Sequence, residues 1–329
     1  MMHVAILGAG GIANAMAKTV KGMEAGGEPV KLYAVAARSA ERAQAFADKW
    51  GIERAYGSYE EMLCDERVDL VYIATPHSHH AEHATLCIEH GKAVLCEKAF
   101  AGNARQAQGV LDLAKEKGVF ITEAIWPRYM PSRRIMNDLI AEGAIGEPVL
   151  LTAQFGGAIH HVDRIRLPEL AGGALLDLGV YTISFATLLF GTDVIGMEST
   201  ASLMDTGVDQ TENITLYYPG GKTAHLMNTV MAETENKCIV YGTKGWMAVE
   251  GVTNPQRIEI YDRSHSGVPL RVAEIPEQIT GYEYEVRACM RALENGELEC
   301  PEMPHEETMR VMRMMDALRE QWGVRYPFD

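Results

Sequence analysis

From His3 to about Thr122 short apolar runs alternate with longer amphipathic stretches. The apolar runs are Val4–Leu7, Leu32–Ala37, Leu70–Ala74, Ala93–Cys96 and Val119–Ile121; between them lie Ala40–Trp50, Ala81–His90 and Asn103–Lys117. Continuous apolar runs separated by helical periods are what a parallel sheet covered on both faces requires. Gly91 and Gly118 stand where the last two helices should stop. The pattern predicts a doubly wound parallel α/β domain over residues 1–124.

Beyond Pro127 and Pro131 the texture changes. A helix is expected over Arg133–Glu142, ended by Gly143, and β-rich runs follow at Val149–Phe155, Asn213–Tyr218, Thr223–Val230, Cys238–Tyr241, Trp246–Val249 and Ile258–Tyr261. Turn signals such as Pro219-Gly220-Gly221 and Gly242-Thr243-Lys244-Gly245 join several of them, which favours an open, mostly antiparallel sheet built from hairpins. Helices over Tyr282–Glu294 and Glu306–Trp322 close the chain. Residues 125–329 thus read as a second domain of α+β type. No repeat or low-complexity linker intervenes, so the two domains are expected to meet tightly around a ligand cleft.

A length of 329 residues agrees with two domains at about 150 residues each. The net charge of −15 repels phosphate backbones and anionic lipid, which sets nucleic acid and membrane low as partners. Six scattered cysteines without a C-x-x-C pair suggest reduced thiols in a cytoplasm. The apolar run after Met1-Met2-His3 reaches Gly8 too soon for a signal peptide or a membrane span. The methionines of the last helix, Met312, Met314 and Met315, read as core.

The run Val4–Leu7 leads into Gly8-Ala9-Gly10-Gly11-Ile12-Ala13, the G-x-G-x-x-A form of a dinucleotide-binding turn. Gly8 permits the tight turn, Gly10 lets backbone approach a pyrophosphate, and Ala13 lets the helix lie close on the sheet, while Gly11 and Ile12 open a helix whose N–H groups face the phosphates. An NAD-selective site carries Asp or Glu at the end of the second strand. Here Arg38 and Ser39 stand there instead, offering a guanidinium fork and a hydroxyl to a 2′-phosphate, so NADP(H) is preferred and NAD(H) remains possible.

Three further segments belong together. Thr75-Pro76-His77-Ser78-His79-His80 follows the third apolar run, Glu97-Lys98-Ala99 follows the fourth, and Gly172-Gly173-Ala174-Leu175-Leu176-Asp177-Leu178-Gly179-Val180-Tyr181 opens a helix in the second half. With the glycine turn, they resemble the T-P-x-x-x-H, E-K-P and G-G-G-x-x-x-D-x-G-x-[H/Y] motifs of the Gfo/Idh/MocA oxidoreductase family over nearly the whole chain. Glu123-Ala124-Ile125-Trp126-Pro127-Arg128, Tyr181 and Gly207-Val208-Asp209 are similar to the branch that contains dihydrodiol and xylose dehydrogenases.

The resemblance implies a Rossmann domain followed by a substrate and oligomerisation domain, with hydride exchanged between a nicotinamide and a secondary alcohol or carbonyl of a sugar, polyol or cyclic trans-diol. Lys98 and Tyr181 take the polar catalytic roles. A free phenol is ionised about one part in a thousand at pH 7, so a neighbouring ammonium is the natural support for a tyrosine acting as base. Asp177, four residues before Tyr181, is expected on the same helical face and joins the catalytic set. Thr75, Pro76, His77, His80, Glu97 and Lys98 fall on the cofactor side; Trp126, Arg128 and Phe155 fall on the substrate side. Ala99 replaces the motif proline and so removes a backbone restraint beside Lys98. The resemblance also implies a homodimer or higher homo-oligomer through the second-domain sheet.

Two other readings stand beside this one. Some members of the family retain their cofactor and cleave glycosides without net redox change, and the fold also suits a non-catalytic NADP-binding sensor. A zinc pair at His79 and His83, with His77, His80, His160 and His161 near, is the weaker reading because no H-E-x-x-H accompanies it; no metal is expected.

Overall fold

The computed structural model of the chain describes residues 1–264 and 266–329. Its first sheet is parallel and six-stranded, in the order β3-β2-β1-β4-β5-β6. The strands are β1 (Met2–Leu7), β2 (Val30–Ala36), β3 (Arg54–Tyr56), β4 (Leu70–Ile73), β5 (Ala93–Glu97) and β6 (Ile121–Ala124), interleaved with α1 (Gly11–Ala25), α2 (Ala40–Trp50), α3 (Tyr59–Leu63), α4 (His80–Glu89) and α5 (Ala104–Lys117). Strands β1, β4 and β5 are buried through most of their length, as a sheet covered on both faces demands. The order reverses between β1 and β4, and a ligand crevice is expected outside the carboxyl ends of strands at such a reversal.

Local signals fix several ends. Ser39 accepts the Arg42 N–H at 3.3 Å and starts α2, which Gly51 ends at φ 62°. Asn103 does the same for α5 through the Gln106 N–H at 2.9 Å, and Gly118 closes it at φ 65°.

The second unit holds α6 (Pro131–Ala141), β7 (Pro148–Gly156), α7 (Asp163–Arg166), α8 (Val180–Phe190), β8 (Gly196–Leu203), β9 (Asp209–Tyr217), β10 (Thr223–Thr229), β11 (Lys237–Gly242), β12 (Gly245–Glu250), β13 (Arg257–Asp262) and β14 (Arg271–Ala273). The sheet is eight-stranded, in the order β14-β13-β12-β11-β7-β10-β9-β8. All pairings are antiparallel except β7 with β10, so hairpins do not account for the sheet's centre. The stretch Pro168–Phe190 is long and apolar enough to cross a membrane by composition, but 89% of its most apolar window is buried inside the protein. Its apolarity is that of a core segment.

Packing divides the chain differently from a single cut after residue 124. One unit comprises Met1–Tyr129 and Gln278–Met312; the other comprises Met130–Glu277 and Arg313–Asp329. The chain returns to the first unit with α9 (Glu283–Glu294) and the start of α10 (His305–Trp322). Helix α9 packs on α1, Arg287 pairs with Glu28 at 2.7 Å, and the Ile121 N–H donates to the Leu298 carbonyl at 3.1 Å. Met312 and Met315 are buried, as core residues should be.

Candidate active site

Strand β1 ends in Gly8, whose φ of 103° favours glycine. A Cβ there would stand 3.0 Å from the Ala74 carbonyl, so the ends of β1 and β4 approach closely at the crevice. Gly10 is the N-cap of α1 with extended backbone and no side-chain cap, and no acid lies in the first turn. A Cβ on Gly11 would meet nothing within 4 Å, and Ala13 is fully buried against the sheet. This leaves an open helix start with first-turn N–H groups suited to a pyrophosphate.

Arg38 is exposed directly after β2. Ser39 spends a lone pair on the Arg42 N–H, which keeps its hydroxyl hydrogen available to donate. Arg42, in the first turn of α2, was not among the expected site residues. The charges of both Arg38 and Arg42 bear on the Tyr59 hydroxyl, pulling its pKa down against the larger upward effect of burial, so two guanidinium groups share this corner.

His80 opens α4 fully buried, with Nδ1 2.8 Å from the Ala99 carbonyl and Nε2 2.7 Å from the Thr75 carbonyl. It thus stands between the loop after β4 and the loop after β5, donating to one carbonyl while neutral and to both when protonated. The carbonyls favour a protonated ring, but burial outweighs them and draws the pKa down to about 4. His77 is buried edge-on to His80 at 5.7 Å, and His83 sits 3.0 Å from the half-buried Thr75 hydroxyl. Pro76 is half-buried between them in sequence. Among the described residues no three His, Cys, Asp or Glu side chains are grouped to hold a metal ion.

Glu97 is buried at the end of β5. Its Oε1 accepts from the Tyr72 hydroxyl and its Oε2 accepts the Lys98 N–H at 3.2 Å. Its carboxylate thus braces the turn that carries Lys98, each oxygen accepting from a protein donor. The half-buried Lys98 precedes Ala99 through a cis peptide. Phe100 donates its N–H at 3.1 Å to Glu123, whose carboxyl burial pushes up to about 7.

In the second unit a π-helical turn, Leu175–Gly179, runs directly into α8. The wider i→i+5 turn carries Asp177, and Tyr181 is the second residue of α8 after it. The buried Asp177 accepts from Arg164 Nη1 at 2.7 Å. Tyr181 lies 8% exposed with the Phe155 ring edge-on at 5.7 Å. Phe155 in turn packs on Ile165, Ala174, Leu178 and Val230.

Of the remaining expected substrate residues, Trp126 stacks on Tyr282 at 4.3 Å and 9°, so one of its faces is covered by a residue sequence reasoning missed. Arg128 is corrected outright. It is buried, with Nη1 2.8 Å from Glu307 Oε1 and Nε donating to the Glu302 carbonyl at 3.4 Å, and its guanidinium serves an internal ion pair.

Residues 2–124 match the family model described as an oxidoreductase family with an NAD-binding Rossmann fold, GFO_IDH_MocA, and residues 134–248 match the GFO/IDH/MocA C-terminal domain. Trans-1,2-dihydrobenzene-1,2-diol dehydrogenase of Mus musculus is 33% identical over 327 residues, covering 98% of this chain and 98% of that protein. The Xenopus laevis protein of the same name is 35% identical, covering 90% and 91%. Among solved structures, KijD10, a 3-ketoreductase from Actinomadura kijaniata in complex with NADP and TDP-benzene, superimposes with a TM-score of 0.84 at 28% identity over 97% of each chain.

Proposed function

The chain belongs to the Gfo/Idh/MocA oxidoreductase family, and from that premise we propose that it is an NADP(H)-dependent oxidoreductase acting on a secondary alcohol or carbonyl of a sugar, polyol or cyclic trans-diol. The observation that carries the reading is the clustering at one sheet edge: the uncapped start of α1, the loops on either side of His80 and Lys98 all stand at the carboxyl ends of β1, β4 and β5.

The residues fit the cofactor. The open space beside Gly11 and the free first turn of α1 suit its pyrophosphate, while Arg38, Arg42 and the Ser39 hydroxyl suit a 2′-phosphate. When bound, NADP(H) supplies or accepts a hydride at its nicotinamide C4. The protein's task is then the proton and the charge on the substrate oxygen. Tyr181 is assigned the phenolic proton, given to a carbonyl oxygen in reduction and taken back in oxidation, and Lys98, next after β5, is assigned a cationic role towards the charge that develops in the reaction. Asp177, held by Arg164, is assigned to orient substrate hydroxyls, and Phe155, edge-on to Tyr181, offers an apolar wall beside the tyrosine.

We assign the eight-stranded sheet as the pairing face for a second copy. Its exposed side forms a shallow hollow of about 440 Å³ lined by Gln154, Asn213, His225, Met227 and Ile239 among others. The six cysteines form no disulfide, which supports a reducing, cytoplasmic location.

Following NADP⁺ reduction by absorbance across aldoses, polyols and cyclic trans-diols, with NAD⁺ and Tyr181→Phe in parallel, tests the function. Turnover with NADP⁺ that falls at least about 100-fold in the variant supports it. Silence across the panel, in protein that binds NADPH, rejects it.

A further inference from the structure

We infer that Asp209 and Glu212 share one buried proton and thereby position the turn that delivers Tyr181. The inference rests on the role proposed for Tyr181 above. Both carboxyls belong to β9 and are fully buried. Residues three apart in a regular strand face opposite sides. Here Thr211 pairs with Ser202 and Asp209 with Leu203, so Gln210 is an extra residue, and this bulge brings both acids to one side.

Asp209 Oδ2 accepts the Leu175 N–H at 2.6 Å, and the N–H groups of Ala174 and of Asp209 itself also serve this carboxylate. Glu212 Oε1 accepts from Asn228 Nδ2 at 2.8 Å. The remaining oxygens, Asp209 Oδ1 and Glu212 Oε2, receive no N–H or hydroxyl donor among the described residues, and the two buried carboxyls stand close enough to act on one another's charge. Two carboxylates buried so close are relieved by a proton between them. One proton held by Glu212 answers both orphan oxygens and leaves the charge on Asp209, where three backbone N–H groups favour it. Burial and the Asp209 charge accordingly push the Glu212 carboxyl well above the usual carboxylate range. The other titratable group facing the pair is Tyr326, whose hydroxyl donates to the Gly172 carbonyl at 2.7 Å beneath the Arg319 guanidinium.

The pair grips the turn at both ends. Ala174 and Leu175 lie at its start; at its end Asn228 Oδ1 accepts from Thr182 Oγ1 at 3.1 Å, and Thr182 follows Tyr181. Gly173 and Gly179 leave the necessary room: a Cβ on the first would overlap Asp209 Oδ1, and on the second Glu212 Oε1. The acids are positioning residues that act through the tyrosine.

Turnover and infrared spectra of the full-length enzyme decide the matter in wild type, Glu212→Gln, Asp209→Asn and Tyr181→Phe. Glu212→Gln keeps one charge and a donor towards Asp209, so kcat should stay within about threefold of wild type; Asp209→Asn forces the charge away from the backbone donors and should lower kcat about tenfold or more with the KM for NADPH unchanged. At neutral pH the C=O stretch of protonated carboxyls should lose one component in Glu212→Gln and keep it in Tyr181→Phe. Equal losses of kcat in the two acid variants, or an intact protonated-carboxyl band in Glu212→Gln, overturn the inference, and the band decides even where Asp209→Asn does not fold. Undiminished turnover in Tyr181→Phe instead removes the tyrosine's role and with it the positioning, while the band still reports on the shared proton.

Discussion

Arg164 holds the carboxylate of Asp177 at 2.7 Å, with the acid buried in the π-helical turn and the guanidinium half in water. Replacing Arg164 by Met takes a cation from a buried carboxylate and should cost about 1–3 kcal/mol of stability in denaturant melts. Adding Asp177→Asn to it should recover most of that loss. A double variant as unstable as the sum of the singles would show that the two side chains do not depend on each other.

His80 links stability to pH. Its folded pKa of about 4 lies below the usual value of 6.5, so the unfolded chain binds a proton that the folded protein refuses. The associated stability is present above about pH 6.5 and is lost as pH falls towards 4, by about 3 kcal/mol in full. His83, drawn down to about 4 by burial and by His79, adds in the same direction. Chemical unfolding measured from pH 7 to pH 4 should show a shallower slope in His80→Gln; an unchanged slope would count against the buried neutral ring.

The two guanidinium groups at the start of α2 should set cofactor choice. Arg38→Ala and Arg42→Ala are each expected to weaken NADPH binding about tenfold or more, with NADH binding nearly unmoved. Fluorescence titration of both nucleotides reads this directly. Equal losses for NADH and NADPH would place the arginines elsewhere than at the 2′-phosphate.

Gly173 has φ 114° and the Asp209 carboxylate where a Cβ would go. Gly173→Ala should therefore lose at least about 2 kcal/mol of stability. Gly220→Ala has a similar backbone strain at φ 77° but nothing within 4 Å of the new methyl, so it should lose less. Equal melting temperatures for the two variants would deny the crowding at Gly173.

The elements that could be read from the sequence carry their own punctuation. Helix α2 runs over Ala40–Trp50 as the periodicity predicts, because Ser39 and Gly51 bracket it. Strand β6 lies at Ile121–Ala124, later than the apolar run Val119–Ile121, because pairing with β5 sets its span. Strands β3, β8 and β14 gave no signal: β8 is largely exposed and reads Met-Glu-Ser-Thr-Ala-Ser after Gly196, with no apolar run to mark it. The parallel union of β7 with β10 was also invisible, since strand direction across a long connection leaves no local trace.

The site follows the same division. The glycine turn, His80, Lys98 and Tyr181 sit inside contiguous motifs and could be singled out from the sequence. Arg42, Tyr282, Arg164 and the Asp209–Glu212 pair acquire their meaning only from neighbours brought in by packing. Arg128 misled because its partner, Glu307, lies far along the chain in α10.

Strand β7 has consequences for synthesis. Its flanking partners are β10 and β11, so residues 148–156 must wait until 223–242 have been made before either side is bonded. A ribosome-bound chain of intermediate length therefore displays a nine-residue strand with two bare edges, the form most open to pairing with another chain. Yield in a cell should depend on how fast translation crosses that interval and on whether a chaperone shields it.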